Sequence, residues 1–348
     1  MQLDDPFSKT LYASTFFSLS SISMILLNKA VIIVFPYSAM VLMFQNLMTI
    51  LLLKKSYPNL KFEQQMAINW IPCVCLFCTN TYSSLMSLSY VSVSTFTVFR
   101  NTQPIVSSLI DYFVRQEVIS PLSILFLHVI LFGAFIYASN DMYYNFYGYF
   151  WAYIHVISMS LYSVIVKMSF KNHKINAHEM SWYNNIMSII ILIVVAFLET
   201  DIAKFSQSLV NCSGQLSCWG TLLLSCFGGF CVSVTGFKAQ EVLSPTSWLA
   251  LNNISKIPAI VISCFLWPTN LTYLEVSGLC ISMFGGYLYS LSRLLSFSRP
   301  AKYISVLICI LLFLNFDTFF ISELKKLIMV KTLYGHRIFI HEGIKNVY

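Results

Sequence analysis

Long apolar runs separated by short polar links dominate this chain. Between residues 11 and 291 the apolar positions gather into ten runs, at roughly 11–33, 37–53, 70–90, 94–113, 120–138, 147–167, 181–198, 219–236, 243–266 and 272–291. About 20 apolar residues in a helix cross a bilayer, so each run is long enough to span one. The pattern predicts an all-α polytopic membrane protein with ten transmembrane helices and an extra hydrophobic segment at about 303–322. The runs divide into two sets of five, within 1–145 and 146–295, followed by an atypical extension at 296–348. Each set ends in a stretch with small or polar residues, AFIYASND in the first and MFGGYLYS in the second. Five is odd, so two such sets sit in opposite orientations. Inverted repeats of this kind place a transported substrate at the midplane between halves.

Composition agrees with the pattern. The chain of 348 residues is 57% hydrophobic and only 10% charged, against roughly 25% charged in a soluble domain. The net charge of +7 is not a nucleic-acid signal, because the cations fall mainly in the links and the tail. With the N-terminus cytosolic and ten spans, the cytosolic side receives Lys9, Lys54, Lys55, Lys61, Arg115, Lys167, Lys171, Lys174, Lys238, Arg293, Arg299 and Lys302. The opposite side receives Lys204 alone, a bias that sets the orientation. The sequons at Asn211 and Asn270 then lie on the non-cytosolic side, as do Cys212 and Cys218, which stand close enough in sequence for a disulfide. Asp4 and Asp5 precede the first run without a basic region or a cleavage site, so that run reads as a retained signal anchor.

Polar residues inside the spans carry the functional signal. Lys29, Arg100 and Lys256 sit within apolar runs, and Lys256 has no acidic residue within fourteen positions on either side. A lysine at the bilayer centre costs about 2.5–3.5 kcal/mol on insertion scales, so it must snorkel, pair or face a cavity. With intramembrane carboxylates almost absent, the natural counterion is an anionic cargo, phosphate above all. Lys29 lies near the end of its run, where snorkelling is an alternative. Asn101, Thr102 and Gln103 beside Arg100 imply a wet wall, and Asn252, Asn253 and Ser255 surround Lys256. Pro258 frees a backbone carbonyl one turn earlier. In SWYNNIMSII, Tyr183, Asn184 and Asn185 open the seventh run. Adjacent asparagines diverge by about 100° on a helix. One can then face a cavity and donate and accept at a nucleobase edge, while the other bonds a neighbouring helix. Metal and hydrolase chemistry have little support. Cys73, Cys75 and Cys78 lack a neighbouring His or a second CxxC pair, the six His are scattered, and no HExxH or GxSxG occurs.

These stretches resemble a nucleotide-sugar transporter of the drug/metabolite transporter superfamily, and most of all its GDP-sugar branch, the GDP-mannose and GDP-fucose transporters. The resemblance covers about 10–295 and rests on SISMILLNK, TFTVFRN, WYNN, VTGFKAQEVLSPTS, NNISK and MFGGYLYS. It implies that Tyr183, Asn184 and Asn185 bind guanine, with Ser233 near the base and Trp248 lining the pocket. It further implies that Asn252, Asn253, Ser255 and Lys256 meet sugar and phosphates, and that Arg100 and Asn101 contribute from the fourth span. Asn252 stands where the family motif has glycine and Ser255 where it has asparagine, which narrows the sugar side of the pocket.

The resulting expectation is a Golgi or endoplasmic-reticulum antiporter, not an enzyme and without a cofactor, importing GDP-fucose or GDP-mannose in exchange for GMP. The alternative is a carrier of a UDP-sugar such as UDP-N-acetylglucosamine, or of a phosphorylated small metabolite. The partners implied are the nucleotide sugar, a nucleoside monophosphate and membrane lipid, with no nucleic acid; a homodimer is left open. A cysteine introduced into the 200–218 link should be labelled by an impermeant reagent only from the non-cytosolic side. Labelling from the cytosol would overturn the orientation.

Overall fold

The computed structural model describes residues 6–116, 120–141, 144–173, 176–199, 216–242, 251–252, 255–267 and 271–294. The 303–322 stretch, Cys212 and most of the 200–218 link lie outside them. The chain divides into two compact units, Met1–Leu294 and Leu295–Tyr348, and the described residues all belong to the first. They are helical, with no strand among them. In chain order the helices are α1 (Pro6–Val34), α2 (Ser38–Ser56), α3 (Gln64–Tyr90), α4 (Val93–Asn101), α5 (Gln103–Arg115), α6 (Pro121–Asn140), α7 (Phe146–His173), α8 (Ala177–Glu199), α9 (Leu216–Val242), α10 (Lys256–Leu266) and α11 (Tyr273–Leu294). Seven of these, α1, α2, α3, α6, α7, α8 and α9, are long and apolar enough to cross a membrane.

The single span expected at 94–113 is broken in two. Ser92 caps α4 by accepting from the Thr95 N–H at 3.1 Å, and the helix closes at Asn101. Pro104, the second residue of α5, has no N–H and so cannot bond the carbonyl of Arg100 four residues back. The break therefore follows from one residue.

Lipid offers no hydrophobic drive for helices to associate, so close backbone approach and interhelical hydrogen bonds must supply it. The principal pairs are α6 with α11, α3 with α7, α1 with α9, and α2 with α8. Glycine makes the first pair. A Cβ on Gly133 would lie 2.3 Å from the Ser282 nitrogen, and one on Gly278 would lie 2.5 Å from the Tyr137 nitrogen. A Cβ on Gly285 would meet the Ile130 nitrogen at 2.8 Å. The two backbones touch along this seam. The start of α11 is fixed by a reciprocal cap, in which Glu275 accepts from the Thr272 N–H and Thr272 Oγ1 accepts from the Glu275 N–H.

Polar ties link α1 and α2 to their neighbours. The Gln45 amide on α2 donates to Ser225 Oγ on α9 at 2.6 Å and to Asn28 Oδ1 on α1 at 3.1 Å. Asn46 donates to Ser188 Oγ on α8 at 2.9 Å. Lys29 neither snorkels nor faces a cavity. Its ammonium donates to the carbonyls of Leu88 at 2.6 Å and Val91 at 2.9 Å, at the C-terminus of α3. Those carbonyls have no intrahelical donor, and the helix dipole favours a cation there. Cys218 is disulfide-bonded, while Cys73, Cys75 and Cys78 are free thiols.

Gly278→Leu should disrupt the α6–α11 seam, since the added side chain meets backbone that cannot step aside. Overpacking of this kind typically costs about 1–3 kcal/mol or more. Thermal unfolding of the detergent-purified protein should show a clearly lowered midpoint, whereas Gly220→Leu, with nothing within 4 Å of the added Cβ, should leave it near wild type.

Candidate functional site

A cavity of about 240 Å³ lies among α1, α2, α3, α4, α5, α7, α8 and α9, lined by Gln45, Arg100, Gln103, Asn185, Ser233 and Asn252 among others. A second chamber of about 190 Å³ adjoins it and shares Gln45, Asn80 and Arg100 with it. Both are walled by polar side chains drawn from spans that are otherwise apolar. Water-filled or ligand-filled space is the ordinary reason for such residues at membrane depth.

Arg100 is the cation at the shared wall. It ends α4 just before the break and is 9% exposed, with its Cζ 5.9 Å from the centre of the Phe96 ring. Its Nε is buried without a hydrogen-bond partner. Among the described residues no carboxylate forms an ion pair with it, so its charge at the cavity wall is not neutralised by any of them.

Lys256 is placed differently from the expectation. It begins α10, is 2% exposed and is not among the residues lining either chamber. Its ammonium donates to Asn101 Oδ1 at 2.9 Å and to the Arg100 carbonyl at 3.3 Å. That carbonyl is the one which Pro104 deprives of its helical donor. Lys256 thus ties the start of α10 to the break between α4 and α5. Asn101 is fully enclosed, its Oδ1 taken by Lys256 and its Nδ2 without a partner. Asn252 lines the main chamber, and Ser255 is buried behind it, donating to the Asn252 carbonyl at 3.2 Å. Trp248 and Asn253 lie outside the described residues.

The asparagine pair on α8 splits. Asn185 lines the main chamber and donates to the Ser181 carbonyl at 2.6 Å and to Ser233 Oγ at 3.4 Å. Ser233 bonds Ser181 in turn and lines the same wall. Asn184 points the other way. Its Oδ1 accepts from the Trp70 indole at 2.9 Å and its Nδ2 donates to the Tyr162 hydroxyl at 2.6 Å, tying α8 to α3 and α7. Tyr183 is also committed to packing, with its hydroxyl accepting from the Glu63 N–H at 3.1 Å and its ring against Phe62. Of the three residues, Asn185 alone is among those lining the two chambers; Asn184 faces neighbouring helices and Tyr183 the link before α3, as residues 100° apart around α8 must diverge.

Several wall residues went unread in the sequence. Gln45, Asn80, Thr81 and His155 line the chambers and are uncharged, so a search for intramembrane charge passes over them; Gln103, read as part of a wet wall, does line the main one. The usable signal was an amide or imidazole inside an apolar run.

Comparison with known proteins bears on this cavity. The pattern that defines the Triose-phosphate Transporter family matches residues 8–290. The chain is 26% identical over 298 residues to GDP-fucose transporter 1 of Arabidopsis thaliana, covering 83% of this chain and 87% of the relative. It is 25% identical over 228 residues to GDP-mannose transporter GONST3 of the same plant, over 65% of this chain and 61% of the relative. It is also 25% identical over 314 residues to UDP-galactose/UDP-glucose transporter 7, again of Arabidopsis thaliana, over 87% of this chain and 96% of that protein.

Asn184→Ala should strand the buried Trp70 N–H and take a donor from the half-buried Tyr162 hydroxyl, at a cost of about 1–3 kcal/mol. A ligand-free melt of the purified protein should register that loss. Asn185→Ala should melt closer to wild type, because the Ser181 carbonyl keeps its helical donor.

Proposed function

Since the chain belongs to the Triose-phosphate Transporter family, a family of carriers and not enzymes, we propose that it exchanges a GDP-sugar for GMP across the Golgi membrane. GDP-fucose and GDP-mannose are the cargos proposed, by analogy with the relatives that carry those names. The observation that carries the reading is Arg100, a cation on the cavity wall with its Nε unpartnered and no carboxylate among the described residues paired with it. A diphosphate supplies the missing charge and accepts from the guanidinium fork. Asn185 and Ser233 offer a polar patch for the base at the other wall of the main chamber, and Asn252 stands between. Lys256 acts behind Arg100, holding the break that presents it.

Ten spans in two inverted five-helix repeats, 1–145 and 146–295, remain the proposed architecture. The helix pairs support it. Exchanging α1 with α7, α2 with α8, α3 with α9, and α6 with α11 maps the α3–α7 pair onto α1–α9 and returns α2–α8 and α6–α11 to themselves. The weaker contacts α2–α9 and α3–α8 also exchange. Pro104 and Pro258 stand at corresponding places, each within the first three residues of the helix that follows. Interrupted spans at matching positions of two halves are the usual mark of a midplane substrate site.

A UDP-sugar is the second reading. It is favoured by the similarity to the UDP-galactose/UDP-glucose carrier along 96% of that protein's length.

Proteoliposomes loaded with GMP, UMP or CMP and offered a panel of nucleotide sugars test both readings. Uptake of a GDP-sugar driven by internal GMP and not by UMP is expected; the reverse preference would establish the second reading instead. Arg100→Gln should weaken nucleotide binding roughly tenfold to a hundredfold, the worth of charge-assisted hydrogen bonds. Lys256→Ala should abolish exchange while the protein still inserts, since one intramembrane charge fewer lowers the cost of insertion. Near-normal exchange by Arg100→Gln would remove the central support.

A further inference from the structure

The second chamber contains buried polar atoms that the phosphate and base contacts do not use. His155 on α7 is 5% exposed and lines this chamber with Asn80 on α3 and Arg100. Its ring lies 4.9 Å from that of Phe96, tilted by 42°. His155 Nδ1 is 3.0 Å from the carbonyl oxygen of Asn80. A carbonyl cannot donate, so Nδ1 carries the proton. In the neutral ring Nε2 is then a bare acceptor, and it is buried without a partner. Asn80 Oδ1 is a second acceptor, likewise buried and unpartnered.

Two vacant acceptors beside one vacant donor, Arg100 Nε, select for the chemistry of a ligand. Ionised phosphate oxygens only accept, so they can meet Arg100 Nε but neither His155 Nε2 nor Asn80 Oδ1. An apolar group leaves all three unpaired, at about 1–3 kcal/mol each. Hydroxyl groups donate and fit both acceptors. A ligand that carries a phosphate next to several hydroxyls satisfies the set.

We propose that the second chamber is a hydroxyl-recognition subsite, in which His155 Nε2 and Asn80 Oδ1 accept from the sugar hydroxyls of a cargo anchored at Arg100. This rests on the nucleotide-sugar reading above and adds a place for the sugar apart from the NNISK stretch. The phosphates lie at the boundary of the two chambers, the nucleoside in the larger and the sugar in the smaller. His155 and Asn80 then set which sugar is preferred, through the direction in which its hydroxyls point.

The test is competition against nucleoside-monophosphate self-exchange in proteoliposomes, with whichever base the wild type accepts. External monophosphate and external nucleotide sugar are titrated as inhibitors, and the ratio of their half-inhibition concentrations is the readout. His155→Asn keeps a donor for the Asn80 carbonyl but removes the acceptor at the Nε2 position. His155→Gln places an amide oxygen near that position. The Asn variant should weaken the nucleotide sugar about twofold to tenfold more than the monophosphate, the worth of one hydrogen bond. The Gln variant should recover part of the difference. An unchanged ratio, or equal weakening of both inhibitors, overturns the proposal by showing that the chamber holds only water or that His155 merely packs. A wild type that exchanges no nucleotide sugar at all overturns the transport reading itself, and this inference with it.

Discussion

An ammonium group taken out of water among helices that bury almost no carboxylate has to be solvated by neutral dipoles. Lys256 meets this need with Asn101 Oδ1 and the Arg100 carbonyl, both drawn from the break between α4 and α5. The requirement works in both directions. Pro104 leaves the Arg100 carbonyl without its donor four residues on, so in a bilayer it turns to other donors, the Thr102 N–H and the Lys256 ammonium. The lysine and the proline break therefore compensate each other across a large separation in the chain. Pro104 sets where α4 ends, and the contact holds that end, with Arg100 on it, at the cavity wall.

The electrostatics of the cavity follow from that placement. Arg100 and Lys256 are neighbours of like sign, and among the described residues no carboxylate pairs with Arg100. Lys256 is enclosed by dipoles, so the charge that reaches the cavity is that of Arg100. A fixed guanidinium fork held in a low-dielectric wall interacts with an anion far more strongly than it would in water.

Hydropathy made the spans legible because lipid imposes a length and a polarity on each helix, and the boundaries of α1, α2, α3, α6, α7 and α8 fall within a few residues of the apolar runs, apart from longer polar ends. The break at Thr102 was hidden in a run that stays apolar on both sides, although Pro104 marked it. Charged intramembrane residues were visible as anomalies; their partners were not. Lys29 reads the same in sequence as Lys256, yet one caps the end of α3 and the other bridges two spans. Rotational position around a helix decided the asparagines, and only helix packing sets that angle. His155 escaped notice because an isolated histidine in an apolar run has many bland explanations, and its unpaired Nε2 exists only once Asn80 has claimed Nδ1.

The glycine seam between α6 and α11 has a mechanical meaning. Side-chain interfaces can slide by exchanging rotamers, but at Gly133, Gly278 and Gly285 backbone already meets backbone, so there is nothing to repack. Such a line resists translation and tolerates only small changes of angle. A helix of the length of α6, 20 residues, is about 30 Å long. A tilt of about 10° pivoting on one end of such a helix displaces the other end by about 5 Å at that rise per residue. Three residues without side chains thus convert an angular change too small to break packing into a displacement as wide as a sugar ring.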